Sequence, residues 1–65
     1  MKIRLNGKEC ITEAKTISEL LEENNIKVEF VAVELNKKIL KRTEFDTVKI
    51  NEGDSVEVVI FVGGG

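Results

Sequence analysis

Residues 1 to 5 alternate between apolar and charged side chains and lead directly into Asn6-Gly7, a combination that leaves few folds open. Met1, Ile3 and Leu5 would share one face of a strand, because successive side chains point to opposite faces. Asn-Gly suits a two-residue type I′ turn, since both of its central residues need a positive φ. The pattern therefore predicts a β-hairpin. The expected opposite pairs are Leu5 with Lys8, Arg4 with Glu9, and Ile3 with Cys10.

A short helix is predicted after this hairpin. Thr16 and Glu19 have the spacing of a capping box, in which each side chain accepts the other residue's backbone N–H, so the helix would begin near Ile17. Ile17, Leu20 and Leu21 fall on one stripe, and Asn24-Asn25 would end the helix. About two turns are marginal in isolation. We therefore expect the stripe to be held by packing against a sheet.

Three further strands are predicted downstream: 31–35, a short edge strand at Ile39-Leu40, and 55–62. Asn36-Lys37, Thr43 to Asp46 and Glu52 to Asp54 are expected to form the turns between them. Fifteen Val and Ile residues against five Leu also favour a sheet-dominated chain. The resulting order, β-β-α-β-β-β, predicts an α+β fold. One helix would pack across a mixed sheet of four to five strands, with the first and last strands as neighbours.

The composition argues against several classes of function. A chain of 65 residues fits one small domain and has little room for a deep catalytic pocket. The absence of histidine removes the usual proton shuttle and the commonest metal ligand, so no metal site is expected. Cys10 is the only cysteine, which excludes an internal disulfide and favours a reducing cytoplasm. We interpret Cys10 as an inward-facing packing residue.

Charge and hydropathy argue against two classes of partner. The formal net charge is −2, and Lys and Glu are interspersed without a basic block, so nucleic acid is not an expected partner. The longest apolar run, 58–62, is far shorter than the roughly 20 residues of a membrane-spanning helix. No membrane segment or signal peptide is therefore expected. Glu13, Glu22 and Glu23 are interpreted as a solvated charged face.

Four stretches together resemble the ThiS family, the sulfur carrier proteins of thiamin biosynthesis, which have the ubiquitin-like β-grasp fold. The stretches are Ile3-x-Leu5-Asn6-Gly7, Thr16-Ile17-x-Glu19-Leu20-Leu21, Val31-Ala32-Val33-Glu34-Leu35-Asn36, and Glu52-Gly53-Asp54-Ser55-Val56-Glu57-Val58 continuing into Phe61-Val62-Gly63-Gly64-Gly65. One position departs from the family pattern, because Lys41 stands where members often carry a proline before the arginine that here is Arg42. The resemblance implies a β-grasp domain over residues 1–62 and a flexible tail over 63–65.

The resemblance also implies a function in which the chain is not an enzyme but a protein-bound substrate. An adenylating enzyme of the ThiF type would activate the Gly65 carboxylate with ATP, and sulfur would then replace one oxygen to give a thiocarboxylate. Gly63 and Gly64 would thread into the partner's active site. The sulfur would come from cysteine through a desulfurase persulfide, and a ThiG-type thiazole synthase would consume it. The chain itself would bind no cofactor.

The last strand offers a second candidate site. Alternation would place Val56, Val58, Ile60 and Val62 inward, and Ser55, Glu57, Val59 and Phe61 outward. Val59 and Phe61, with Val62 and Arg42, are thus the candidate partner interface, since exposed apolar groups often mark one. Neighbouring strands or the Phe45 loop could instead cover Val59 and Phe61, and Arg42 could be ordinary solvated surface.

Three other functions remain open at this level. The small subunit of molybdopterin synthase shares the Gly-Gly end and the adenylation chemistry. A ubiquitin-like modifier would instead join its end to lysines, and a plain β-grasp binding module would have an inert tail. Terminal glycines alone could also be a frayed chain end.

Overall fold

The computed structural model describes residues 1–61, and these form a five-stranded mixed sheet with one α-helix across it. The elements along the chain are β1 (Lys2–Leu5), β2 (Lys8–Ile11), α1 (Ile17–Glu23), a 3-10 helix (Val28–Phe30), β3 (Val31–Leu35), β4 (Lys38–Ile39), a second 3-10 helix (Arg42–Glu44) and β5 (Ser55–Ile60). The predicted order and the α+β class are confirmed. Val62 and the predicted tail of Gly63, Gly64 and Gly65 lie outside the described residues.

The first hairpin has the predicted register. Ile3 lies opposite Cys10, Arg4 opposite Glu9, and Leu5 opposite Lys8. Asn6 and Gly7 both have positive φ, 52° and 81°, as a type I′ turn requires. Ile3 is buried and Cys10 is half-buried against the core, so the inward orientation predicted for Cys10 is confirmed.

The last strand, β5, is the centre of the sheet, whose strand order is β2-β1-β5-β3-β4. On one side it runs parallel to β1, with Leu5 opposite Val56, which confirms the predicted contact between the first and last strands. On the other side it runs antiparallel to β3 along its full length, from the Leu35–Val56 pair to the Val31–Ile60 pair. The first part of the strand is therefore bound on both edges, and its last part is bound to β3.

Asn6 extends the β1–β5 ladder beyond the end of β1. Its backbone N–H donates to the Val56 carbonyl at 2.8 Å, and its side-chain Oδ1 accepts the Val58 N–H at 2.7 Å. The chain turns away at Asn6, so the side-chain oxygen supplies an acceptor beyond the end of the strand. The turn residue expected from the sequence thus also ties the hairpin to the central strand.

The helix begins at Ile17 as predicted, but its cap differs in one bond. The Thr16 Oγ1 accepts the Glu19 N–H at 3.3 Å. The Glu19 carboxylate, however, accepts the N–H of Lys15 at 2.7 Å rather than that of Thr16. The prediction of a reciprocal box is wrong in this half, because the Glu19 side chain reaches one residue further back along the chain.

Glu23, expected on the solvated face, is tied to the segment after β2. Its carboxylate accepts the Thr12 hydroxyl at 2.6 Å and the Glu13 N–H at 3.2 Å. Thr12 is buried, and its oxygen also accepts the Ala14 N–H at 2.9 Å. Glu23 is exposed, as predicted, and the last helical residue also holds the incoming loop, a role that the sequence did not indicate.

The core lies between the helix and one face of the sheet. The helical stripe of Ile17, Leu20 and Leu21 is fully buried, as its spacing predicted. The other buried apolar residues come from the strands and loops: Ile3, Ala14, Val31, Val33, Leu40, Phe45, Ile50, Val56 and Val58. Full burial of each large apolar side chain contributes about 1.5–3 kcal/mol, so this layer holds the short helix in place.

The edge strand is shifted by one residue from its predicted position. β4 comprises Lys38–Ile39, whereas Leu40 is buried and donates its N–H to the Val33 carbonyl at 2.9 Å. Phe45 is buried, which confirms it as the apolar anchor of its turn. Within residues 1–61, α1 is the one α-helix, and it leaves the opposite face of the sheet open.

Candidate functional site

The candidate site is the end of β5, where the chain approaches the glycine sequence. Beyond the last strand residue, Ile60, the Phe61 N–H donates to the Phe30 carbonyl at 2.7 Å. Phe30 closes the 3-10 helix that precedes β3. The backbone is thus fixed by β1 and β3 and then by this bond, up to four residues before Gly65. A tail that starts here starts from a rigid base.

The outward-facing apolar residues at this end are exposed. Val59 is 55% exposed and Phe61 is 58% exposed, so neither neighbouring strands nor the Phe45 loop covers them. Phe30, which no sequence pattern indicated, is also exposed and lies beside Phe61. These three residues form an apolar patch around the base of the tail. Their role as a partner interface stays a prediction.

Ile60 departs from its predicted burial. Its register partner is Val31, a core residue, so it has the inward parity that alternation predicts. It is nevertheless 54% exposed, because it is the final residue of the strand and the buried part of β5 ends at Val58. Ile60 therefore adds apolar surface to the same end of the molecule.

Arg42 is exposed, but its guanidinium is engaged within the protein. Its Nη2 donates to the Glu29 carbonyl at 3.2 Å, which links the two 3-10 helices. Glu29 directly precedes Phe30, so Arg42 is brought to the same end of the fold as Phe61. Arg42 is thus exposed surface that is also bonded within the protein, and a contact with a partner stays a prediction.

A pair of carboxylates on the open face was not anticipated. Glu34 of β3 and Glu57 of β5 are direct register partners, so their side chains point to the same face of the sheet. Alternation alone places Glu57 outward, but only the pairing of β3 with β5 brings the two acids together. Among residues 1–61 the one ion pair joins Lys2 to Glu9 at 3.8 Å.

The described part of the chain offers an exposed surface for recognition rather than an enclosed binding pocket. Residues 1–61 contain no detectable cavity and no group of three or more Cys, Asp or Glu residues placed to hold a metal ion. Their helices include none long and apolar enough to cross a bilayer. Val62 of the candidate interface and the predicted tail residues Gly63, Gly64 and Gly65 lie outside the described range. The features available for recognition are therefore the open sheet face and the base of the tail.

Comparisons with known sequences agree with this arrangement. A sequence model of the ThiS family matches residues 3–65. The sulfur carrier protein ThiS of Thermus thermophilus is 39% identical over 61 residues, which cover 94% of this chain and 95% of that protein. A thiazole synthase of Paramagnetospirillum magneticum is 38% identical over 66 residues, covering all of this chain but 20% of that protein. The chain thus spans about a fifth of the length of that synthase.

A solved structure extends the likeness to three dimensions. The crystal structure of the thiamine biosynthesis protein ThiS from Geobacter metallireducens superposes with a TM-score of 0.85 at 36% identity, and each chain is covered completely. The β-grasp fold implied by the resemblance is thereby confirmed. With a family match over nearly the whole sequence, and a relative of similar length above 30% identity, the chain belongs to the ThiS family.

Proposed function

We propose that this chain is the sulfur carrier of thiamin biosynthesis and that its reactive group is the Gly65 carboxylate. One observation carries the proposal: the central strand is followed, after two further residues, by a three-glycine sequence within a family match that reaches residue 65. The folded domain supplies a surface that a partner enzyme can bind, and the sequence beyond it supplies an unhindered carboxylate. In this role the chain is a co-substrate of other enzymes rather than an enzyme.

The proposed chemistry begins with activation of the carboxylate. A carboxylate oxygen attacks the α-phosphorus of ATP, an acyl adenylate forms, and pyrophosphate leaves. A sulfur nucleophile then attacks the carbonyl carbon and AMP leaves, which gives the thiocarboxylate. Where the sulfur arrives as a persulfide, a thiol must reduce the resulting acyl disulfide to release it. ATP and sulfur are bound by the partner enzymes, and this chain needs no cofactor of its own.

Glycine suits each step of this chemistry. It has no Cβ to obstruct attack on the carbonyl, and it adopts backbone conformations that other residues resist. Gly63 and Gly64 can therefore pass through a narrow channel while the folded domain stays outside the active site. The apolar patch of Phe30, Val59 and Phe61 would then face the partner at the channel entrance.

The proposed partners are a ThiF-type adenylating enzyme, a thiazole synthase of the ThiG type and, indirectly, a cysteine desulfurase. The match to a longer protein named thiazole synthase supports the second, because a sequence like this whole chain occurs within that polypeptide. The lone Cys10 supports the cytoplasm as the compartment, since reducing conditions keep a single thiol free.

Mass spectrometry of the protein purified from its host tests the function. We expect a fraction of the chain to carry sulfur in place of one oxygen at Gly65. An isopeptide adduct would instead identify a modifier, and an unmodified end that no adenylating enzyme accepts would identify a binding module. Either result would refute the proposal.

Deletion of Gly65 separates the chemistry from the fold. Residues 1–61 hold all of the described contacts, so we expect the thermal unfolding midpoint to stay nearly unchanged. Adenylation should be abolished, because the shortened chain places its carboxylate about 3.5 Å short of the ATP phosphate. Equal loss of stability and adenylation would contradict the proposal.

A further inference from the structure

We propose that the adenylating partner places a lysine or arginine side chain against the Glu34–Glu57 pair on the open sheet face. The inference deepens the proposed function, since it names the charge and position of the contact that the adenylating enzyme makes. The paired carboxylates, the apolar residues around them and the reach of the tail support it.

The two carboxylates lie where their charges repel each other. Glu34 and Glu57 are direct cross-strand partners on β3 and β5, and such pairs have their Cβ atoms about 4.5–5.5 Å apart. Like charges directly opposite each other destabilise a sheet. A cation placed between them would turn this repulsion into attraction. The free chain thus keeps an unfavourable carboxylate pair, and a bound cation would remove the repulsion between the two charges.

Within residues 1–61, the basic residues of the same face form no ion pair with Glu34 or Glu57. Lys2 is paired with Glu9 of the first hairpin at 3.8 Å. The Arg4 guanidinium donates to the Gly7 carbonyl at 2.8 Å, so it is directed toward its own turn. Within residues 1–61, neither Glu34 nor Glu57 forms a salt bridge. The charged residues of the open face are thus Lys2, Arg4 and Glu9 over β1 and β2, but only Glu34 and Glu57 over β3 and β5.

Apolar residues border the acidic pair on two sides. Ile39 of β4 is the register partner of Glu34 and is 71% exposed. Val59 and its register partner Ala32 form the next outward row toward the tail. A partner that covers Ile39 and Val59 would exclude water around the carboxylates, and an ion pair is stronger where water is excluded. An apolar contact surface with one cation at its centre fits this arrangement.

The reach of the chain places the partner at this end of the domain. Gly65 is the fourth residue after Phe61, so the carboxylate lies within about 14 Å of Phe61 in any conformation. An enzyme that holds Gly65 over ATP must therefore contact the domain close to Phe61 and Val59. Glu57 is two residues before Val59 on the same face of β5, inside the area that such an enzyme covers.

Substitutions at Glu57 test the proposal because stability and affinity should change in opposite directions. Glu57→Gln removes the repulsion, and we expect the unfolding midpoint to rise by about 1–5 °C. Glu57→Lys places a cation opposite Glu34 and should also stabilise the fold. With the ThiF-type enzyme of the same organism, pyrophosphate release should show a KM for the carrier about tenfold higher for Glu57→Gln and higher still for Glu57→Lys. The kcat at saturation should be unchanged.

Glu22→Gln is the matched control. Glu22 is an exposed carboxylate on α1, and its side chain makes no hydrogen bond to the described residues. The Glu22→Gln substitution removes the same charge from the far side of the domain and should leave the KM unchanged. The salt dependence of the KM should be steeper for the wild type and Glu22→Gln than for Glu57→Gln, since a contacting charge has been removed only from the last.

The outcomes distinguish this inference from the proposed function. If the wild type is not adenylated at all, the proposed function itself fails. If it is adenylated but Glu57→Gln and Glu57→Lys keep the wild-type KM, the acidic pair is not part of the interface. An equal rise in KM for Glu22→Gln would show only a general charge effect. If the wild type self-associates and Glu57→Lys does not, the face would be assigned to contact with a second copy of the chain. Each of these three results overturns the inference.

Discussion

Replacement of Asn6 is expected to remove a large part of the stability of this fold. The Asn6 Oδ1 accepts the Val58 N–H at 2.7 Å in the central strand, and Asn6 has a φ of 52°. Alanine removes the acceptor and leaves a part-buried N–H unpaired, which costs about 1–3 kcal/mol. The left-handed conformation costs a residue such as alanine about 1–2 kcal/mol more. Asn6→Ala should therefore lower the free energy of unfolding by about 2–5 kcal/mol.

Two further variants at this position separate the two causes. Glycine accepts a positive φ but has no acceptor, so Asn6→Gly should lose the hydrogen bond and about 0.5–1 kcal/mol of chain entropy, without backbone strain. Aspartate keeps an acceptor oxygen and tolerates the same φ, so Asn6→Asp should lose less than about 1 kcal/mol. A domain of 65 residues has a total free energy of unfolding of about 3–10 kcal/mol, which makes these differences large.

Urea unfolding of the three variants measures these losses, and hydrogen exchange at the Val58 amide reports on the bond itself. We expect the Val58 amide to lose protection in Asn6→Gly and Asn6→Ala but to keep it in Asn6→Asp. If Asn6→Gly is as stable as the wild type, or if Val58 exchange is the same in all variants, the side-chain bond does not hold β5 and the reasoning is wrong.

Two other outcomes are expected. Phe61→Ser should keep the fold, since Phe61 is 58% exposed, but it should weaken binding of the adenylating enzyme. Unimpaired affinity in a binding titration would show that Phe61 is not part of the interface. Thr12→Val keeps the shape of a buried side chain but removes its bonds to Glu23 and Ala14, and we expect a loss of about 1–3 kcal/mol in urea unfolding. A loss below that range would show that Glu23 does not need Thr12 to hold the loop.

Local signals in the sequence predicted much of the fold. The Asn6-Gly7 turn and the alternation before it specify one hairpin register, and the structure has that register. The helix start and buried stripe follow from Thr16 and from the spacing of Ile17, Leu20 and Leu21. The family recognised from four stretches of sequence is confirmed by the family match and the solved relative. The hairpin and the helix each depend on residues that are close together in the sequence.

Features that depend on distant residues were missed or misjudged. The Glu34–Glu57 pair exists only because β3 and β5 pair in one register, and local alternation carries no information about it. Ile60 has inward parity, but its exposure depends on where the core ends in three dimensions. Glu23 has the position of a surface residue on its helix, yet Thr12 from another segment contacts it. Long-range contacts of this kind need the tertiary structure.

The central position of β5 has a consequence for how the domain forms. Without β5, β1 and β2 make one hairpin and β3 and β4 another, with no strand to join them. A two-stranded hairpin is marginally stable at best in water. Pairing strands from opposite ends of the sequence is slow, since the loop between them must close first. During synthesis on a ribosome the sheet would therefore assemble late and cooperatively, so that a chain interrupted before residue 55 would offer no folded surface for an enzyme to recognise.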